Sequence, residues 1–195
     1  MSGIKVINVF GAPSSGKSTF SAGLFYELRK RKITAELITE FAKDCVYEER
    51  LFILKNQMLI LGEQYHRLWR VVEYFKKNDI SGYIINDTPF LVSLIYHPEP
   101  SETFEKFIVE EYKKFEKNCE MINVFLPILK EFKEDKGRVH NFEQSKQIEK
   151  AMIKMLVRNN FDFKILFQDT TEERVNEIIE ILSLKFSKEE TNDKN

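Results

Sequence analysis

The residues best suited to chemistry lie between Gly11 and Ser18, where the sequence reads GAPSSGKS. In the pattern G-x-x-x-x-G-K-[ST], backbone N–H groups wrap the phosphates of a nucleotide at the start of a helix. We expect Lys17 to reach the β- and γ-phosphates and the Ser18 hydroxyl to ligate Mg²⁺. The stretch predicts binding of a nucleoside triphosphate, with ATP and Mg²⁺ as the expected cofactors and GTP left open. The predicted ATP-binding residues are Gly11, Ala12, Pro13, Ser14, Ser15, Gly16, Lys17, Ser18 and Thr19.

Two carboxylates follow apolar runs further along the chain. Glu40 comes after the run at residues 34–39, and Asp87 after the run at residues 82–86. Parallel sheets bind ligands at the carboxyl ends of their strands, so we expect both side chains near the phosphate loop. Asp87 would hold Mg²⁺ or accept the proton of an acceptor hydroxyl, or it caps the next helix. Glu40 would act as a general base, or it is a solvated loop residue.

A charged segment after the fourth apolar run is the third candidate. We expect residues 130–142 to form a lid over the triphosphate, with Gly137 as its hinge. Arg138 is the choice for stabilising the transferred phosphate, because a planar guanidinium binds phosphate through paired hydrogen bonds. Lys133 and Lys136 are second choices, and a plain solvated loop is the alternative.

The elements that would position these residues follow from the alternation of apolar and helical stretches. The alternation predicts an α/β fold with a parallel sheet covered by helices on both faces. The predicted strands are residues 4–10, 34–39, 82–86, 121–126 and 163–167. The predicted helices are residues 18–32, 46–77, 101–118, 141–159 and 170–185.

The long helical stretch at residues 46–77 is predicted to cover the substrate, and only Gly62 interrupts it. Gln64 could then read a base or ribose, and Arg67 could meet a substrate phosphate, although most polar residues of such a helix face water. Phe41 could stack on a base or belong to the core. We expect one domain over residues 1–187 and a flexible tail at residues 188–195.

Composition restricts the class of protein. The chain has 195 residues, with 30 Lys plus Arg against 31 Asp plus Glu, so its net charge of −1 disfavours a nucleic-acid partner. The two cysteines have no partner pattern and the three histidines have no metal-ligand spacing. No apolar run approaches the roughly 20 residues of a membrane span, and no leader pattern opens the chain. We therefore expect a cytoplasmic protein without a membrane partner.

Five short segments together resemble a known group of proteins. They are VINVFGAPSSGKST (6–19), ITEFAKD (38–44), GEQYHR (62–67), NDTPFLVSLIY (86–96) and, more loosely, GRVHNFEQS (137–145). The chain is similar to small P-loop proteins of phages and bacteria, an AAA-type ATPase group related to kinase domains that phosphorylate nicotinamide riboside. More broadly, it looks like nucleoside and nucleoside-monophosphate kinases.

The resemblance implies a three-layer P-loop NTPase fold with a five-stranded parallel sheet, a helical insert and a lid. It supports Lys17, Glu40, Asp87 and Arg138 as catalytic residues. Lys43 and Asp44 join Phe41, Gln64 and Arg67 as substrate contacts. The chain departs from the group at one place. The group commonly carries an Arg soon after the fourth strand, whereas residues 127–129 of this chain are Pro-Ile-Leu. Lys130 or Lys133 must replace that Arg, or transfer is weak.

Three functions remain open at this point. The leading one is an ATP-dependent kinase acting on a nucleoside, a nucleotide or a similar small hydroxylated acceptor. The second is a kinase acting on hydroxyls in DNA, at a 5′ end or a modified base. The third is a nucleotide-binding ATPase or switch without an acceptor. The helical insert could also bury a partner in a homodimer.

Overall fold

The structure is a computed structural model that describes residues 3–129 and 141–192, with side chains up to residue 182. Its centre is one parallel sheet in the order β2-β3-β1-β4-β5. The five strands are β1 (Ile4–Phe10), β2 (Ala35–Ile38), β3 (Gly82–Asp87), β4 (Glu120–Phe125) and β5 (Lys164–Ile165). The prediction of a five-stranded parallel sheet is confirmed, although β5 is only 2 residues long.

Helices cover both faces of this sheet. They are α1 (Lys17–Lys30), α2 (Phe41–Tyr47), α3 (Gln57–Lys77), α4 (Ser93–Tyr96), α5 (Glu102–Glu116), α6 (Phe142–Arg158) and α7 (Thr171–Asn192). Apolar side chains of α3, α5 and α6 pack on one face of the sheet in a single cluster. Side chains of α1 and α7 pack on the other face in a second cluster. The three-layer α/β architecture is therefore confirmed.

The central strands end together at one edge of the sheet. β1 pairs with β3 so that Val9 lies opposite Asp87, and β1 pairs with β4 so that Phe10 lies opposite Phe125. β2 ends at Ile38, opposite Asn86. Residues that follow these strands in sequence are thereby brought to the same edge.

The predicted continuous helix over residues 46–77 is wrong. The chain forms α2 and α3 instead, with a 3₁₀ helix at Leu51–Lys55 between them. α2 ends because Glu49 adopts a left-handed φ of 57°, and the Arg50 N–H then bonds the Cys45 carbonyl at 2.8 Å. This is a Schellman ending, which usually carries glycine and is hard to detect when it carries Glu. Gly62 does not interrupt α3.

Other helix ends follow their capping residues. The Ser101 hydroxyl accepts from the Phe104 N–H at 3.1 Å, as predicted for the start of α5. Asn141 and Gln144 form a reciprocal capping box that begins α6. α7 begins at Thr171, as predicted, but continues to Asn192, beyond the expected end at residue 185. Of the lid predicted at residues 130–142, residues 130–140, with Arg138, lie outside the described residues, whereas Asn141 and Phe142 belong to the start of α6.

Candidate active site

The loop between β1 and α1 has the backbone shape that phosphate binding requires. Gly11 has φ 154°, and a methyl group there would lie 2.4 Å from the Ser15 Oγ and 2.7 Å from the Leu126 carbonyl oxygen. Gly16 has a left-handed φ of 83° and occupies the N-cap position of α1. These two glycines let the loop turn tightly into the N-terminus of α1, and a helix N-terminus is a place where an anion is stabilised.

Lys17 holds its ammonium over this loop. Its Nζ donates to the Gly11 carbonyl at 2.8 Å and to the Ala12 carbonyl at 3.2 Å. The side chain thus folds back from the first residue of α1 across the loop. A cation in this place faces the same concavity as the N–H groups of the loop.

Glu40 lies at the end of β2, at the N-cap position of α2, and is close to the loop. Burial raises the pKa of its carboxyl, and the Lys17 ammonium lowers it. The Asp87 carboxylate raises the pKa further, whereas Lys43 and the Thr88 hydroxyl lower it. Lys17, Glu40 and Asp87 therefore lie close enough to interact electrostatically. They are the predicted catalytic residues that fall within the described ranges.

Asp87 is the last residue of β3 and is only 4% exposed. Its Oδ1 has no hydrogen-bond partner within the described part of the chain. The next residue, Thr88, has φ 91°, a conformation that strains a β-branched residue. The following 3₁₀ helix, Phe90–Val92, has Pro89 at its N-cap and no capping side chain, so the alternative role of Asp87 as a cap is not realised.

Ser18 and Asp87 were predicted to ligate Mg²⁺, and each offers a side-chain oxygen near the loop. The Lys43 ammonium donates to the Ser18 Oγ at 2.8 Å, so this side chain would have to release that oxygen before a metal ion could bind it. The buried, unpartnered Asp87 oxygen is the second donor, and oxygen donors of this kind suit Mg²⁺. No group of three or more His, Cys, Asp or Glu in the described ranges could hold a metal by itself. An ion at Ser18 and Asp87 would therefore need further ligands from phosphate or water.

The predicted substrate contacts lie together at the start of α2. The Phe41 ring is buried beside Cys45. The Arg67 guanidinium lies 5.3 Å from the centre of that ring, bonds the Thr39 carbonyl at 3.2 Å, and pairs with Asp44. Arg67 and Asp44 thus hold α3 against α2 in the structure.

Gln64 was predicted to bind a base or ribose, but in the structure its carboxamide is buried and bonds the backbone. It is 3% exposed, and its Oε1 accepts from the Phe41 N–H at 3.0 Å. Its Nε2 donates to the Thr39 carbonyl at 3.4 Å. The carboxamide therefore binds the backbone on both sides of Glu40, and its direct binding of substrate stays a prediction.

Sequence reasoning missed Arg174, which supports the phosphate loop from behind. This side chain of α7 is 3% exposed and donates to the Ser15 carbonyl at 2.8 Å, to Pro127 at 3.1 Å and to Gln168 at 2.7 Å. Burial lowers the pKa of its guanidinium, and nearby carboxylates act in the opposite direction. An Arg near the start of an amphipathic helix looks like a surface residue in the sequence, so no local signal marked it.

Fold and site together define a class. A parallel sheet with a Gly-rich phosphate loop after its central strand, and a carboxylate at the end of the neighbouring strand, is a P-loop NTPase fold. A family model described as an AAA domain matches residues 6–174, so the chain belongs to that family. The resemblance seen in the sequence is thereby confirmed.

Solved structures share this fold at low sequence identity. Deoxyadenosine kinase from M. mycoides is 17% identical with a TM-score of 0.57, and the match covers 91% of this chain and 98% of that one. Thymidylate kinase from Ehrlichia chaffeensis is 12% identical with a TM-score of 0.59, covering 92% and 98%. NadR protein in complex with NR is 20% identical with a TM-score of 0.61, covering 90% of this chain and 49% of that one. The chain thus spans about half the length of NadR.

Two further findings concern curated proteins and membrane spans. No curated protein matches the sequence. Among the helices of the described ranges, none is both long and apolar enough to cross a membrane.

Proposed function

We propose that the protein is a kinase that transfers the γ-phosphate of ATP to a hydroxyl of a small acceptor, a nucleoside or nucleotide in the first instance. The observation that carries the proposal is the meeting of Lys17, Lys43, Glu40 and Asp87 beside the phosphate loop. Deoxyadenosine kinase and thymidylate kinase, which share the fold, are named for acceptors of this class.

Each residue has a role in this proposal. The N–H groups of the loop and the Lys17 ammonium bind the phosphates, while Ser18 and Asp87 would hold Mg²⁺, which would neutralise phosphate charge. Glu40 accepts the proton of the acceptor hydroxyl. The hydroxyl oxygen forms a bond to the γ-phosphorus, the bond from that phosphorus to the bridging oxygen breaks, and ADP leaves. Arg138 remains a proposed contributor of positive charge to this step.

The acceptor would lie on the open side of Glu40. Lys43 and Asp44 of α2 carry opposite charges that suit the hydroxyl and phosphate groups of a nucleoside or nucleotide, and in the structure Lys43 bonds Ser18 while Asp44 pairs with Arg67. Arg67 is already paired with Asp44, so it would act on the acceptor through that ion pair. Phe41 supports the surface from beneath.

The test is a γ-phosphate transfer screen with nucleosides, nucleotides, nicotinamide riboside and DNA as acceptors. Lys17→Ala should abolish transfer, because it removes the cation from the phosphates. Glu40→Gln should lower transfer about 100-fold or more while ATP binding persists, since only the proton acceptor is lost. Lys106→Met, at an exposed ion pair of α5, is the matched control.

Three outcomes would contradict the proposal. Full transfer by the Lys17→Ala variant would remove the assigned role of the phosphate loop. ATP hydrolysis without any acceptor, coupled to binding of a protein, would instead indicate a switch. Retention on DNA with a steep salt dependence would indicate a DNA kinase, because phosphate contacts dominate nucleic-acid affinity.

A further inference from the structure

A row of buried amides crosses the sheet beneath the site. Asn86 of β3 donates to Asn8 of β1 at 3.0 Å, and Asn8 donates to Asn123 of β4 at 3.2 Å. At one end, Gln64 of α3 donates to Asn86 at 3.4 Å. At the other end, Asn123 donates to the backbone carbonyl of Asp162 at 3.0 Å. We call these four side chains, Gln64, Asn86, Asn8 and Asn123, the amide chain.

Three members of the amide chain lie on adjacent strands, so the pairing of the sheet holds them in place. Asn8 lies opposite both Asn86 and Asn123 in the pairing of the strands, so all three side chains leave the sheet on the same face. The exposed fractions are 0% for Asn8 and Asn86 and 7% for Asn123. Tyr112 of α5 also bonds Asn8 and Asn123 from the helix layer.

The hydrogen bonds that link one amide of the chain to the next all run in one direction. The Phe41 N–H donates to Gln64, and each amide then donates to the next until the Asp162 carbonyl accepts the last bond. Aligned bonds polarise one another in a buried environment, so each fixes the orientation of its neighbour. The orientation of the Gln64 carboxamide is therefore fixed by its backbone contacts and reinforced by the amides beyond it.

Gln64, at one end of the amide chain, bonds the backbone on both sides of Glu40. Gln64 accepts from the residue after Glu40 and donates to the carbonyl of the residue before it. Stability alone does not require this arrangement, because both partners of a buried hydrogen bond can be replaced together by apolar groups of the same shape at little cost. What the amides add is a fixed direction for the backbone on both sides of Glu40.

We propose that the amide chain positions Glu40 for proton transfer, with Gln64 as the positioning residue that contacts its backbone. The inference rests on the proposed function for its catalytic consequence. Gln64 itself need not touch the acceptor, which distinguishes this role from the substrate contact expected of it in the sequence. The chemistry remains that of the Glu40 carboxylate.

The direct test uses Gln64→Met, which keeps the volume and removes the hydrogen bonds. We expect kcat to fall about 10- to 100-fold with KM for ATP within about twofold, because misplacement of a catalytic group costs rate rather than nucleotide affinity. Gln64→Glu retains an acceptor for the Phe41 N–H but cannot donate in its ionised form, and it should lose rate as well. Leu68→Ala, a fully buried neighbour one turn along α3, is the control for lost stability and should keep kcat.

A second readout does not depend on activity. Hydrogen exchange of the Phe41 amide, followed by NMR, should accelerate at least about 10-fold in Gln64→Met, because that N–H loses its acceptor. Asn123→Leu, at the far end of the amide chain, should accelerate the same amide, whereas Leu68→Ala should change it no more than its neighbours in α2.

The outcomes separate the two proposals. Unchanged kcat and unchanged Phe41 exchange in Gln64→Met would overturn the inference, and so would equal losses of kcat in Gln64→Met and Leu68→Ala. If the wild-type protein transfers phosphate to no acceptor, the proposed function fails. The exchange of Phe41 in the Gln64 and Asn123 variants still decides whether the amide chain fixes the backbone at Glu40.

Discussion

At the scale of single residues, Glu40 is governed by opposing neighbours. Burial and the Asp87 carboxylate disfavour its charged form, and the ammonium groups of Lys17 and Lys43 favour it. Burial prevails, and the pKa of Glu40 is raised. A carboxylate with a raised pKa is a stronger base than a solvated one, which suits it to remove a hydroxyl proton.

This balance predicts a pH dependence. Glu40 accepts a proton only when it is ionised, so kcat/KM should fall as the pH drops through the raised pKa, above the range usual for Glu. Lys43→Met removes a charge that lowers the pKa, so this acid limb should move to higher pH, by up to about one unit. The pH–rate profile measures the shift. An acid limb at the same pH in Lys43→Met and wild type would contradict the assigned base.

At the scale of elements, α7 is tied to the phosphate loop by one side chain. Arg174 bonds the carbonyl of Ser15 inside the loop and that of Pro127 after β4. Three segments far apart in sequence therefore share a single buried guanidinium. The phosphate loop keeps its shape because the Ser15 carbonyl has a fixed hydrogen-bond donor in Arg174.

Removing that partner should affect stability and binding together. Arg174→Met leaves buried carbonyls without donors and should reduce the free energy of unfolding by about 2–4 kcal/mol. Arg158→Met removes an exposed ion pair with Glu105 and should cost about 0–1 kcal/mol. Denaturant titration measures both, and nucleotide titration should show weaker binding only for Arg174→Met. Equal effects of the two substitutions would mean that Arg174 does not support the loop.

Sequence reasoning succeeded where the signal is local. Ser101 was recognisable as a cap because a short polar side chain precedes an amphipathic helix, and Asn141 was recognisable as lying at the start of the next one. Glu40 and Asp87 were recognisable because strand ends coincide in a parallel sheet. Glu49 and Arg174 were missed for opposite reasons: the first adopts a conformation unusual for its type, and the second acquires its partners only in the folded chain.

At the scale of the whole molecule, the phosphate loop lies where the central strand, α1 and the covering α7 meet. A ligand bound there contacts the folded state and finds no equivalent site in the unfolded chain. Binding must therefore raise the stability of the whole domain, by an amount that grows with the logarithm of the ratio of free ligand concentration to Kd.

The expected gain can be measured by thermal unfolding with Mg²⁺ and a non-hydrolysable ATP analogue. At a free ligand concentration of about 100 times Kd, the folded state should gain about 2.7 kcal/mol. Lys17→Ala should lose most of this gain, and Lys106→Met should keep it. A shift of equal size in Lys17→Ala would place nucleotide binding elsewhere on the molecule.

The buried asparagines also bear on how the strands find one another during folding. β1 is apolar on both faces, with Val6 and Phe10 in one cluster and Ile7 and Val9 in the other. Such a strand carries little information about which face is which, and a slip by one residue would exchange the two sets. Asn8 breaks this ambiguity, because in any other register its amide would be buried without Asn86 and Asn123. The same three side chains that lie beneath the site thus penalise misaligned strands before any site exists.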